Sequence, residues 1–247
     1  MITFTPSKIT KMLGCSGFDG SKKTLALERG SIIHSIIDNS NNYNKEFSIY
    51  RGDKTPFQFE HNFKEYEELV DDIKEDYPQF FTQDWLKEVE LSVTYNDKFL
   101  GEIEFNGIID KLQLKEKEAT LVDWKTGATR ANKDNPIEML QSIFYSFLVM
   151  QKYQYLEKVT FNYVYVEQSH IITQTIVNSP ESRKNLYRYL RMWAFAAIQN
   201  KGTYKVTSKC NWCQKLTTCP FIDEELKAKE LEEKGIHVEN RKTKALR

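Results

Sequence analysis

The spacing of apolar residues changes several times along the chain, and the changes mark out its elements. In "LALERGSIIHSIID", apolar residues recur at helical intervals, which predicts a helix over 25–39 with His34 on the side of Gly30 and close to Ile37. From Glu88 the period falls to two: "EVELSVTY", "FLGEIEFNGIID" and "ATLVDWK" predict three strands, joined by polar turns at Asn96–Lys98 and Lys115–Lys117. Asn135-Pro136-Ile137-Glu138 then supplies an N-cap, a proline at the first helical position and a glutamate at the third, opening a helix to Tyr153. "KVTFNYVYVEQ" and "HIITQTIV" predict two more strands, and Ser179-Pro180 opens a long helix ending near Gly202. Before all of these, Thr5-Pro6 opens a short helix that reaches Cys15. Residues 41–60 are polar and turn-rich, and 61–76 read as a charged surface helix. The order predicts an α/β fold, a mixed central sheet flanked by helices, in a single domain over 1–222 with a charged tail at 223–247.

One strand end does not fit a purely structural role. "LVDWKTG" runs from two aliphatic residues into an aspartate and a lysine two positions apart. Alternate strand residues face opposite ways, so Trp124 takes the core side while Asp123 and Lys125 share the other. Asp110 closes the preceding strand, and pairing through the Lys115–Lys117 turn brings Asp110 and Asp123 together. Two carboxylates meeting there repel unless a divalent cation lies between them. Gly107 and Gly127 leave the backbone uncrowded around both. On the next helix, Gln141 and Tyr145 lie one turn apart and present one polar face. Taken singly, each feature has an ordinary reading: Asp123–Lys125 as a surface ion pair, His34 as a satisfied buried histidine, Tyr145 as core.

Composition adds exclusions. At 247 residues, 40% hydrophobic and 13% aromatic, the chain has enough apolar material for a substantial core. Lys+Arg and Asp+Glu both number 35, so any nucleic-acid footprint is local rather than global. No basic region followed by an apolar stretch opens the chain and no apolar run is long enough for a bilayer, so the expectation is a soluble, cytoplasmic protein with no membrane partner. Cys15 is followed far downstream by Cys210, Cys213 and Cys219 in "KCNWCQKLTTCP". Four thiolates can close one tetrahedral site, for zinc or for a cubane iron–sulfur cluster, and would tie one end of the chain to the other.

The ordered set "GSIIH" (Gly30 to His34), "GIID" (Gly107 to Asp110), "DWKTG" (Asp123 to Gly127) and "QSIFY" (Gln141 to Tyr145) resembles the RecB-like branch of the PD-(D/E)XK nucleases. One N-terminal cysteine followed by C-x2-C-x5-C resembles its iron–sulfur subgroup, which includes the AddB nuclease domain and the CRISPR-associated protein four nucleases. The resemblance runs from about Thr5 to Pro220. It implies a restriction-endonuclease-like core whose N- and C-terminal segments are joined by a 4Fe-4S cluster on Cys15, Cys210, Cys213 and Cys219. It implies Mg²⁺ or Mn²⁺ on His34, Asp110, Asp123 and the Trp124 carbonyl, with Lys125 orienting water and Gln141 and Tyr145 positioning DNA or the nucleophile. The activity implied is hydrolysis of DNA, as an exonuclease on single-stranded DNA with free ends, beside helicase, recombination or CRISPR adaptation proteins. Lys111, Arg130 and Lys133 are then available for flanking phosphates, and Tyr187, Leu190 and Trp193 either stack on bases or form a core stripe. A DNA end-binding partner with secondary nuclease activity, or a structural zinc protein on a degenerate nuclease fold, fits the same residues.

Overall fold

The structure, a computed structural model, describes residues 1–15, 24–39, 45–50, 56–127 and 136–200. Its packing divides the chain into two units, Met1–Pro6 with Thr24–Met192, and Ser7–Lys23 with Trp193–Arg247. Among the described residues, helices α1 (Pro6–Leu13), α2 (Leu25–Ile37), α3 (Phe63–Asp76), α4 (Pro136–Lys152) and α5 (Pro180–Gln199) accompany eight strands. These are β1 (Ile2–Phe4), β2 (Glu46–Tyr50), β3 (Pro56–Glu60), β4 (Leu86–Asp97), β5 (Gly101–Lys115), β6 (Glu118–Lys125), β7 (Lys158–Tyr165) and β8 (His170–Val177). Helix starts follow from capping side chains. Thr24 accepts the amide of Leu27 at 3.2 Å, Asn62 that of Glu65 at 3.4 Å and Ser179 that of Ser182 at 3.0 Å.

The alternating segments form strands where their pattern predicts them, and β8 coincides with "HIITQTIV". Two segments depart. The polar stretch over 41–60 contains an antiparallel hairpin, β2 with β3, in which Phe47 pairs with Phe59 and Ile49 with Phe57. Its alternation is short and lies among turn residues, so the period carries little signal. At the other departure, Ile2–Phe4 pairs parallel with Ile103–Phe105, a contact made across about a hundred residues that local pattern does not encode.

In the larger unit the main sheet runs β1-β5-β6-β7-β8 with β4 on the second edge of β5, and it mixes parallel and antiparallel pairs. One face carries α2 and α3. Ile32, Ile33 and Ile37 of α2 and Tyr66, Val70 and Ile73 of α3 form one cluster with Val122, Trp124 and Val164 of the sheet. The other face carries α4 and the first turns of α5: Phe144 and Phe147 pack edge-on against Phe105, and Tyr187 stacks on Tyr95 at 4.6 Å. Tyr187 and Leu190 therefore belong to the core stripe rather than to a base-stacking surface. Asp97, at the end of β4, accepts from Tyr187 and Arg191 and ties this hairpin to α5.

The sheet forks along β5. One edge pairs with β4 from Gly101 to Leu112. The other pairs with β1 at Ile103–Phe105 and with β6 at Lys111–Lys115, and among the described residues no strand pairs with the stretch between. Asp110 lies in that stretch. It does not end the strand, as its motif suggests; β5 continues through five further residues into the two-residue turn at Glu116-Lys117, where Glu116 has φ 48°.

The pleat also reverses at this point. Lys87 pairs with Lys111 and Val89 with Ile109, while the intervening Glu88 and Asp110 are skipped and Glu88 adopts φ 47°. In an unbroken strand, residues 107 and 111 face the same way. Here a side chain on Gly107 would point at Tyr145 of α4, whereas Lys111 points to the rings of Phe81 and Trp124 on the opposite face. Asp110 sits at the reversal, and its carboxylate, partly buried, accepts from the Trp124 amide.

Gly107 is required by packing. A Cβ there would lie 2.7 Å from Cε1 of Tyr145, whose ring is 8% exposed and stacks on Phe161. With Phe161 behind it, the ring has little room to retreat. Gly107→Ala is expected to cost about 1–3 kcal/mol, the usual range for overpacking. Thermal denaturation of the purified variant, at roughly 2–4 °C per kcal/mol for a chain of this size, checks it.

Candidate functional site

The Trp124 peptide is the junction of the site. The indole is buried among Phe80, Phe81 and the α2–α3 cluster, which fixes the residue from one side. On the other, its N–H donates to Asp110 Oδ2 at 2.8 Å and its carbonyl oxygen lies 3.3 Å from His34 Nε2. The side chain of Asp110 thus takes up the amide beyond the last β5–β6 backbone pair, Lys111 with Val122. His34 Nδ1 stands 3.9 Å from the same Asp110 oxygen. Gly30, one turn before His34, lets α2 approach the end of β6, since a Cβ there would come within 3.0 Å of Thr126 Oγ1. Gly127 has no such neighbour, so it is not what keeps the carboxylates uncrowded.

Asp123 faces the α4 side, opposite Trp124. The edge is less exposed than strand alternation suggests: Asp123 is 7% exposed and one of its oxygens, Oδ2, makes no hydrogen bond. That oxygen forms an ion pair with Lys125 Nζ, a charge contact without a directed bond. Lys125 donates instead to Gln141 Oε1 at 2.8 Å, and its ammonium lies 5.3 Å from the centre of the Tyr163 ring. Gln141 also hydrogen-bonds with Tyr145, so the two α4 residues one turn apart act on one point. Burial raises the Tyr145 hydroxyl above its ordinary pKa, and the charges of Asp123 and Asp110 raise it further. It is a protonated donor at any physiological pH.

The electrostatics centre on Asp110. Burial pushes its carboxyl well above the usual carboxylate range and the charge of Asp123 adds to that push. His34, the Trp124 amide and Lys125 offset part of it. Among the described residues no group of three or more His, Cys, Asp or Glu side chains is placed to hold a metal ion. The donor chemistry nevertheless suits a hard divalent cation. Two carboxylates repel, a buried carboxylate oxygen lacks a hydrogen bond, and a peptide carbonyl and an imidazole stand beside them.

Two residues read differently from their sequence context. Lys111 is 2% exposed and donates to the Phe80 carbonyl at 2.9 Å, so it does not meet phosphates. Desolvation lowers its pKa to about 8. Glu88 carries no signal in "EVELSV", where it looks like any solvent-facing strand residue. Its left-handed backbone opposite Asp110 puts it on the wall of a cavity of about 350 Å³ with Gly30, Ser31, His34, Ser35 and Asp38. Of the remaining candidates, Cys15 is half-buried and forms no disulfide among the described residues. Arg130, Lys133, Cys210, Cys213 and Cys219 lie outside the described residues, as does the tail at 223–247. In the smaller unit, Asn200 Nδ2 donates to the carbonyls of Met12 at 2.5 Å and Gly14 at 2.8 Å, which holds the chain just before Cys15 to the end of α5.

The family model of the PD-(D/E)XK nuclease superfamily matches residues 17–220, most of the chain. No curated protein matches it. Among solved structures it is similar to a Eubacterium rectale protein named "Putative exonuclease", with 15% identity, a TM-score of 0.54 and coverage of 92% of this chain and 91% of the other. It also matches SSO0001, with 13% identity, a TM-score of 0.43 and coverage of 90% and 87%. At this identity the first likeness is one of fold. No described helix is long and apolar enough to cross a membrane.

The raised Asp110 pKa has a consequence for stability. A carboxyl that holds its proton more tightly when folded stabilises the fold at low pH, and that stabilisation is lost as pH rises from the unfolded value near 4 through the higher folded one. Asp110→Asn keeps an oxygen for the Trp124 amide and removes the charge. In metal-free buffer the variant is expected to melt higher than the parent at pH 8, by roughly 2–4 °C for each kcal/mol of relieved repulsion, and to show no gain at pH 4. Calorimetric melting at the two pH values checks this.

Proposed function

Since the chain belongs to the PD-(D/E)XK nuclease superfamily, we propose that it is a metal-dependent deoxyribonuclease whose reacting centre is the convergence of His34, Asp110, Asp123, Trp124 and Lys125. The observation that carries the proposal is the meeting of Asp110 and Asp123 at the fork of the sheet, where burial and then the Asp123 charge raise the Asp110 carboxyl. Folding gains nothing from placing two carboxylates there. His34, both aspartates and the Trp124 carbonyl would hold Mg²⁺ or Mn²⁺. Bound there, the ion supplies positive charge for the phosphoryl oxygens and lowers the pKa of a nearby water.

The remaining steps belong to side chains of the chain itself. Lys125, steadied by Gln141, brings an ammonium to the same point as Asp123 and stabilises charge that builds on the phosphoryl group. Tyr145 keeps its proton and offers a hydroxyl to a phosphate oxygen. Trp124 and its aromatic neighbours close the rear of the site and exclude water from that side.

The substrate in this reading is single-stranded DNA with a free end, cut as an exonuclease would. The chain has no net charge to hold a long duplex, and β4 presents Glu88 and Glu90 to solvent near Asp110. A 4Fe-4S cluster on Cys15, Cys210, Cys213 and Cys219 completes the proposal, and the Asn200 tether before Cys15 supports it by fixing one of the four positions.

Asp123→Ala and Lys125→Ala are expected to lower cleavage by at least about a hundredfold, as loss of charge stabilisation does, with circular dichroism and any visible absorbance unchanged. An end-labelled linear single strand should be degraded with Mg²⁺ or Mn²⁺ faster than the same strand in duplex, and a closed single-stranded circle should resist. Near-normal hydrolysis by Asp123→Ala would remove the site assignment; rapid cutting of the circle would make the protein an endonuclease.

Protein purified without oxygen is expected to be brown and to lose that colour on replacing any of Cys15, Cys210, Cys213 or Cys219 by Ser, with increased sensitivity to protease. A colourless folded protein carrying one zinc per chain would replace the cluster with a zinc site and leave the nuclease reading intact.

A further inference from the structure

Lys111 follows Asp110 in β5 and is nearly sealed from water, at 2% exposure. Its Nζ donates to the Phe80 carbonyl at 2.9 Å and lies 4.5 Å from the centre of the Phe81 ring and 5.4 Å from that of Trp124. Burying an ammonium costs several kcal/mol, and an apolar residue of similar volume commonly serves folding as well or better. The Asp38 carboxylate offsets part of that cost, and the direct contacts of the ammonium give it a role beyond packing.

Its contacts show where such a role lies. Phe80 meets the Trp124 indole edge-on at 6.3 Å and Phe81 lies against it at 5.5 Å, so one ammonium binds a carbonyl and a ring of the segment that clamps Trp124, and the indole itself. Trp124 is in turn the residue whose N–H reaches Asp110 and whose carbonyl reaches His34. An apolar side chain fills space in many orientations. A cation between a carbonyl dipole and ring faces prefers few.

We infer that Lys111 is a positioning residue for the nuclease site: by holding the Phe80 carbonyl and the rings of Phe81 and Trp124, its ammonium fixes the Trp124 peptide, so that the carbonyl is presented to the cation and the amide to Asp110. The inference rests on the proposed nuclease reading and deepens it. Lys111 touches neither substrate nor cation; it acts through Trp124.

The test compares the full-length parent with Lys111→Met, which keeps the stem and removes the charge. Three quantities are measured: melting temperature without metal, Mn²⁺ affinity by isothermal titration calorimetry, and kcat and KM on a linear single strand. The expected result is a folded variant with a lower melting temperature, since the Phe80 carbonyl and Asp38 lose their cation, Mn²⁺ binding weakened by about tenfold or more, as for other residues that orient ligands, and a fall in kcat with KM for DNA retained. Phe81→Leu, which removes one ring from the clamp, should shift the same quantities in the same direction, and it carries the test if Lys111→Met does not fold. Parent-like Mn²⁺ affinity and kcat in the folded variants would overturn the inference while the nuclease reading stood. A parent protein that neither bound Mn²⁺ nor cut DNA would overturn both.

Discussion

Asp110 and Asp123 are held on adjoining strands close enough that the charge of one raises the pKa of the other. This repulsion is the constraint around which the local structure is arranged. Each of its partners limits it in a distinct way: the Trp124 amide by a hydrogen bond to Asp110, His34 by proximity to the same oxygen, Lys125 by an ion pair with Asp123. They do not restore an ordinary carboxyl, because burial and the Asp123 charge together leave the Asp110 pKa raised. In the proposed function, a cation that neutralised both carboxylates would remove the repulsion that folding tolerates.

Backbone geometry makes the approach possible. The fork between β1 and β6 leaves the edge of β5 beside Asp110 without a partner strand among the described residues, and its partly buried carboxylate accepts from the Trp124 amide there. The left-handed φ of Glu88 is the local cost, of the order of 1–3 kcal/mol for a residue with a side chain. That strain and the charge repulsion fall at the same level of the sheet, which is the pattern expected where stability is given up for chemistry.

Rigid apolar elements hold this polar point from both faces. Trp124 is anchored in the α2–α3 cluster, and Tyr145 is sandwiched between Gly107 and Phe161 on the other side. Their backbone or hydroxyl groups are what face the site. The aromatic residues thus serve as positioning anchors, and a change of packing behind them is transmitted to the carbonyl, amide or hydroxyl in front.

Much of this is already determined by the linear chain. Alternation with period two locates β4 to β8, capping residues start α2, α3 and α5, and the thirteen-residue spacing through a short turn brings Asp110 to Asp123. These depend on near neighbours or on a single hairpin, so their information is local. The family is shown by the match of its model to residues 17–220, and the motifs that resemble it are legible in the chain. What only the tertiary structure decides is non-local or comes from the path of the backbone. The pairing of Ile2–Phe4 with β5 joins distant segments, and the pleat reversal at Glu88 is a backbone conformation that a glutamate does not advertise. Lys111 shows the difference most clearly. As a letter after Asp110 it is an ordinary surface cation; the reversal turns it inward, beneath the rings of Phe81 and Trp124, where only the folded chain supplies the partners that make a buried charge tolerable.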